Sequence, residues 1–243
     1  MKQADVLQSA DRGWLAEALQ PGFVAIRKYW MAFLAIQVCA LLLVVGYFSV
    51  PVVNRVCGEL MQLRQWGGLW VAAAVSAVAG GLLPELFKWG IGIRVKLTGK
   101  YAAYLAYNSG FFFVNGLCVD LSYTWQSMFW GSGGLEVALA KMAVDQFLFT
   151  PFYFLPSGAL AFTWRDFGFS GRRLREDLKA GWYRRRVLPA LLPCWCYWIP
   201  MTLMIFSLPR DLQLCLFAFA LAAWNLVAVY VLSAEEGRNA GHA

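Results

Sequence analysis

Six stretches of mostly apolar residues recur along the chain, at about 30–50, 67–87, 101–121, 134–162, 187–208 and 211–232. About 20 such residues are what an α-helix needs to cross hydrocarbon. The first stretch stops at Pro51, and the second is rich in Ala, Val and Gly, a small-residue surface that suits close helix packing in lipid. Between them Val53, Val56, Leu60 and Leu63 recur at helical spacing, which predicts a short amphipathic helix at the membrane interface. After the third stretch, Tyr123, Trp125, Phe129 and Trp130 read as an aromatic belt at headgroup level. The pattern predicts an all-α fold, a polytopic transmembrane helix bundle with about six spanning helices and short interfacial helices. It divides the chain into a cytoplasmic N-terminal segment, 1–29, a single transmembrane domain, 30–233, and a tail, 234–243.

Composition agrees with a bilayer as solvent. Hydrophobic residues make up 60% of the chain and charged ones 14%, with a mean hydropathy of +0.54. A soluble domain of this size needs a larger charged shell. The net charge of +7 does not point to nucleic acid, because the basic residues flank apolar runs and form no separate basic domain. Their order sets an orientation. Lys2, Arg12, Arg27 and Lys28 precede the first span, and only Arg55 and Arg64 follow it. Lys88, Arg94, Lys96 and Lys100 lie in the second connection, and the third has no Lys or Arg. The fourth, 163–186, is the richest, with Arg172, Arg173, Arg175, Arg184, Arg185 and Arg186 beside Arg165 and Lys179. The fifth has Arg210 and the tail Arg238. Rich and poor segments alternate, as expected for both ends on the cytoplasmic side. The N-terminus has neither a signal peptide's cleavage pattern nor a transit peptide's composition, so the first apolar segment is expected to remain as a span.

Charges inside a span cost about 2.5–3.5 kcal/mol each near a helix centre, so each needs an explanation. Lys141 and Asp145 stand four apart in the fourth span, with Gln146 beside them. They could line a polar path or clamp one another structurally. Pro151 and Pro156 kink the same helix and are expected to free the carbonyls of Phe147 and Phe152. Asp120 and Glu85, near helix ends, read as interfacial or inter-helix polar contacts rather than catalytic acids, and Asn225 as a hydrogen-bonding group between helices. The basic 163–186 segment, with Trp182 and Tyr183, suits anionic lipid headgroups. The six cysteines are scattered through apolar segments and the one histidine is His242, so neither a disulfide framework nor a metal site is expected, and no cofactor. The chain has no GxSxG, HExxH or P-loop, and it is not expected to be an enzyme.

The chain resembles the Mpv-seventeen and twenty-two-kilodalton peroxisomal membrane protein family. Lys141-x3-Asp145-Gln146-x4-Pro151 is similar to that family's K-x3-D-Q-x4-P pattern. Trp198-Ile199-Pro200 followed by Leu208-Pro209 resembles its aromatic-Pro and Val/Leu-Pro pairs, and Trp224-Asn225 resembles the Trp-Asn of its last helix. Gly116-x3-Asp120-x2-Tyr123 stands where the family tends to have Gly-Pro-x2-His-x-Trp-Tyr, with Leu117, Asp120 and Ser122 departing from it. The resemblance implies a small-solute channel or pore-like permeation protein. The location would be a bacterial cytoplasmic membrane or a mitochondrial inner or peroxisomal one. A structural or accessory scaffold subunit of a larger membrane complex is the alternative, and the expected partners besides lipid are a second copy of the chain or such a complex.

Overall fold

The computed structural model describes residues 2–90, 98–179 and 181–240, and their side chains except at 2–12, 15 and 228–240. Arg94, Lys96 and His242 lie outside the described residues, as do the side chains of Lys2, Arg12 and Arg238. Every regular element described is helical: α1 (Lys2–Ser49), α2 (Pro51–Gly67), α3 (Leu69–Gly90), α4 (Gly99–Trp130), α5 (135–166), α6 (Gly171–Lys179), α7 (Tyr183–Ser207) and α8 (Arg210–Ala240). Pro51 opens α2, where its missing N–H is no loss. Gly68, at φ +59°, turns the chain from α2 into α3 with no Cβ to strain. Thr98 caps α4 by accepting from the Tyr101 N–H at 3.2 Å.

Four helices are long and apolar enough to cross a membrane: Ala16–Ser49 within α1, α3, α7, and Arg210–Val227 within α8. The first is longer than the expected 30–50 span. At 34 residues it measures about 51 Å, and only 17% of its most apolar window is buried in the protein. Leu41, Leu42, Val45 and Phe48 stand exposed along it. In water such a strip would be an aggregation hazard; against lipid it costs nothing.

The third and fourth expected spans fall in α4 and α5, which are long enough but more polar. Their polar groups turn inward. Asn108, Asn115 and Gln126 of α4 are buried, as are Lys141, Asp145, Gln146 and Thr150 of α5. Val114 and Leu121, and Phe147, Leu148 and Phe152, stand exposed on the same helices.

The chain packs as two compact units, Met1–Leu34 with Met142–Thr202 and Ala35–Lys141 with Leu203–Ala243. In the first, α7 supplies the core: Val187, Leu191, Cys194, Tyr197, Trp198 and Met201 are buried at helical spacing. Phe33 packs edge-on against Tyr197 at 6.0 Å. Gly22 lets α1 approach the start of α7 so closely that a Cβ there would lie 2.6 Å from the Pro189 carbonyl.

In the second unit α3 and α4 run antiparallel. Ser76 meets Gly116, Gly80 meets Phe112, Gly81 meets Ser109, and Glu85 accepts from the Tyr101 hydroxyl at 2.7 Å. Lys88 closes the same carboxylate at 2.7 Å, so Glu85 makes the inter-helix contact expected of it. Leu212, Leu216 and Ala220, at four-residue spacing, bury one face of α8. The amphipathic α2 is present, and the face it turns to the protein is only partly the expected apolar stripe. Cys57 is buried, with Val53, Leu60 and Arg64 half-buried beside it, whereas Val56 and Leu63 face outward. A stripe of i, i+4, i+7 from Val53 passes through Cys57 and Leu60, not Val56.

The glycine register makes a direct test. A Cβ at Gly116 would overlap the Ser76 side chain and stand 3.1 Å from the Ala73 backbone, whereas one at Gly110 would meet open space. Thermal unfolding in detergent should show Gly116→Ala destabilised by about 1–3 kcal/mol. Gly110→Ala should be neutral or more stable by about 0.5–1 kcal/mol. Equal effects of the two would contradict the α3–α4 register.

Candidate functional site

The unusual segment of α5 begins at Asp145. From Asp145 to Phe154 the helix is wound as a π-helix, with Leu155 N–H reaching the Thr150 carbonyl five residues back. Pro151 and Pro156 lack the donors this register requires. The carbonyls left over are therefore those five residues back, Gln146 and Pro151, and not Phe147 and Phe152 as an α-helical count expects. Both carbonyls are satisfied from α7. The Trp195 indole donates to the Gln146 carbonyl at 2.8 Å, and the Tyr183 hydroxyl donates to that of Pro151 at 3.0 Å. Two bulky side chains thus replace two missing main-chain donors, which leaves neither buried carbonyl unpaired.

Beside these, Asp145 accepts from the Gln146 amide at 2.7 Å, and both side chains are buried. The Gln146 side-chain oxygen finds no donor among the described residues. Asn225, expected to bridge helices, turns back to the Leu221 carbonyl of its own helix at 2.8 Å.

The second unit holds a cavity of about 400 Å³ walled by α2, α3, α4 and α8. Arg64 of α2 and Asp120 of α4 form a bidentate ion pair in its wall, at 2.6 and 2.7 Å from one nitrogen and 3.1 Å from Nε. Asp120 is thus the inter-helix contact expected of it. Ser76, Thr124 and Ser127 bring hydroxyls to the wall, and Arg210 and Gln213 come from the start of α8. Lys141 is buried behind that wall, donating to Ser127 Oγ at 2.9 Å and lying 5.9 Å from the Phe206 ring centroid.

The sequence reading passed over Thr124, Ser127 and Gln213, and it placed Arg64 and Arg210 in connections. A signal was available. Gly116, Asp120, Thr124 and Ser127 recur every three or four residues, a small and polar stripe on an otherwise apolar helix. Tyr123 lies on that stripe and turns inward, edge-on to Phe206 at 4.8 Å. Only Trp125, Phe129 and Trp130 of the expected belt cluster together, with Trp125 and Phe129 exposed.

The basic 163–186 segment keeps part of its charge for itself. Asp177 of α6 holds Arg186 at 2.8 Å and Arg185 at 3.0 Å. Arg184 reaches Glu17 at 3.4 Å and stacks over the Trp14 ring at 5.2 Å. Arg172 pairs with Glu176 one turn on, and Arg173 and Arg175 stand exposed. The hydrogen bond from Arg186, with the charges of both arginines, holds the Asp177 carboxyl below its usual range, against a smaller opposing effect of burial.

No family model matches this chain, nor does any curated protein or solved structure compared with it.

Trp195→Phe should destabilise the chain by about 1–3 kcal/mol, by orphaning the Gln146 carbonyl. In a Pro151→Ala background, where a main-chain N–H is restored, that cost should largely vanish. Additive effects in such a double-mutant cycle would refute the replacement of one donor by the other. For Asp177, a carboxyl whose pKa falls on folding adds stability above its unfolded value of about 3.9 and loses it as pH drops through the folded value. Protection of 171–186 from hydrogen exchange should thus be flat from about pH 7 to 5 and fall only below about pH 4. Asp177→Asn should remove that dependence and speed tryptic cleavage after Arg185 and Arg186.

Proposed function

We propose that the chain is a permeation protein for small polar solutes, crossing the membrane six times with both ends on the cytoplasmic side. The six-span reading adds α4 and α5 to the four apolar helices. It draws support from the way both helices bury their polar residues and present Val114, Leu121, Phe147, Leu148 and Phe152 outward. The alternation of basic and non-basic connections supports the orientation. On this reading the chain is a divergent member of the Mpv-seventeen and twenty-two-kilodalton peroxisomal membrane protein family, and the exposed arginines of 163–186 face anionic headgroups.

One observation carries the function: a cavity of about 400 Å³, lined by an ion pair, hydroxyls and an arginine, inside a set of helices built for lipid. A scaffold has no need of such a space, whereas a solute-sized site falls in the range of about 300–1,000 Å³. Lys141 lends its charge to the wall through Ser127. Asp145 and Gln146 belong to the π-helical segment that α7 supports.

Flux of glycerol into liposomes holding the purified chain tests this reading. The native chain should raise glycerol entry well above protein-free vesicles, and Thr124→Trp, which fills the cavity, should return it to background with the helical content unchanged. Undiminished flux through Thr124→Trp would overturn the reading. So would an inert native chain that purifies with a stoichiometric partner, the scaffold outcome.

A further inference from the structure

Charge in the cavity wall is lopsided. Asp120 has both oxygens engaged by Arg64, so the pair is internally compensated and adds little net field. Arg210 also lines the cavity and has no carboxylate partner within ion-pair distance among the described residues. Lys141 stands one hydrogen bond behind the wall, and because its ammonium donates to Ser127 Oγ, the serine's own proton is left to donate elsewhere. Arg210 lies close enough to Lys141 for the two positive charges to act on each other. Arg210 in the wall and Lys141 one hydrogen bond behind it, neither paired to a carboxylate among the described residues, leave a region that an anion would stabilise. Thr124 adds a hydroxyl to the same wall, while the Gln213 amide nitrogen is held by the Leu208 carbonyl at 2.8 Å.

We infer that this cavity selects small anions over cations of similar size, with Arg210 and the Lys141–Ser127 pair as the selecting groups and the Arg64–Asp120 pair as a neutral strut of the wall. The inference rests on the permeation reading above and names the solute class it favours. Arg210 is the lever because it is exposed at its rim, where its removal leaves the helix packing intact.

The test is a reversal potential of the full chain in a planar bilayer under a potassium chloride gradient, alongside glycerol flux in liposomes from the same preparation. Chloride should permeate about tenfold or more better than potassium, the lower end of what a cleft of one sign achieves. Arg210→Gln should lower that ratio severalfold, and Ser127→Ala, which uncouples Lys141 from the wall, should lower it as well. Arg210→Glu should bring it to one or reverse it. Glycerol flux with no chloride preference in the native chain, or a preference untouched by all three variants, would overturn anion selection alone. A native chain that passes neither glycerol nor chloride would overturn the permeation reading beneath it.

Discussion

A main-chain carbonyl buried away from water must find its donor within the protein, and in this chain that requirement is sharpest where two prolines follow Asp145. An α-helical count would leave two carbonyls bare and force a break. The π-helical winding of Asp145–Phe154 moves the deficit to Gln146 and Pro151, where the Trp195 indole and the Tyr183 hydroxyl can reach it. Each orphaned group would otherwise cost several kcal/mol. The first compact unit is arranged around that exchange: α7 lies against α5 with its aromatic donors inward, and Gly22 admits α1 to the base of α7.

The same rule, that polar groups turn inward and apolar ones outward, organises the second unit with a different result. Glycines at 80, 81 and 116 let α3 and α4 touch backbone to side chain at one stretch. Beyond it the Arg64–Asp120 ion pair ties α4 to α2 instead, and a cavity opens among α2, α3, α4 and α8. Close packing and open space thus meet along one face of α4, set by which residues of its stripe are glycine and which carry hydroxyl or carboxylate. The small-residue surface that made α3 a good packing helix also fixes where the cavity starts.

Much of this was legible in the residues. Apolar length and basic flanks marked where helices run, because hydrocarbon thickness and insertion cost act on residues one segment at a time. The inter-helix roles of Glu85 and Asp120 were visible for the same reason. What escaped was register. The carbonyls freed by Pro151 and Pro156 were placed one residue too far along, since hydropathy does not reveal whether a helix is wound with four or five residues to a bond. Val53, Val56, Leu60 and Leu63 were read as one apolar stripe, yet the face that α2 turns to the protein runs through Cys57. Tyr123 was grouped with Trp125 and Phe129 as aromatic, although its place on the helix aims it inward. Arg64 and Asp120 lie 56 residues apart, and a juxtaposition of that range has no periodicity to announce it.

The proposed permeation site is a water-accessible, positively biased cavity among helices that otherwise present apolar faces. Thiol labelling measures this directly: Thr124→Cys, in sealed vesicles, exposed separately to a sulfonate-bearing and an ammonium-bearing methanethiosulfonate reagent, with the native chain and its six free cysteines as background. The introduced thiol should react with both water-borne reagents and, with each rate divided by that of a free thiol in solution, about tenfold faster with the anionic one. A thiol that neither reagent reaches, or that reacts faster with the cation, would contradict that assignment.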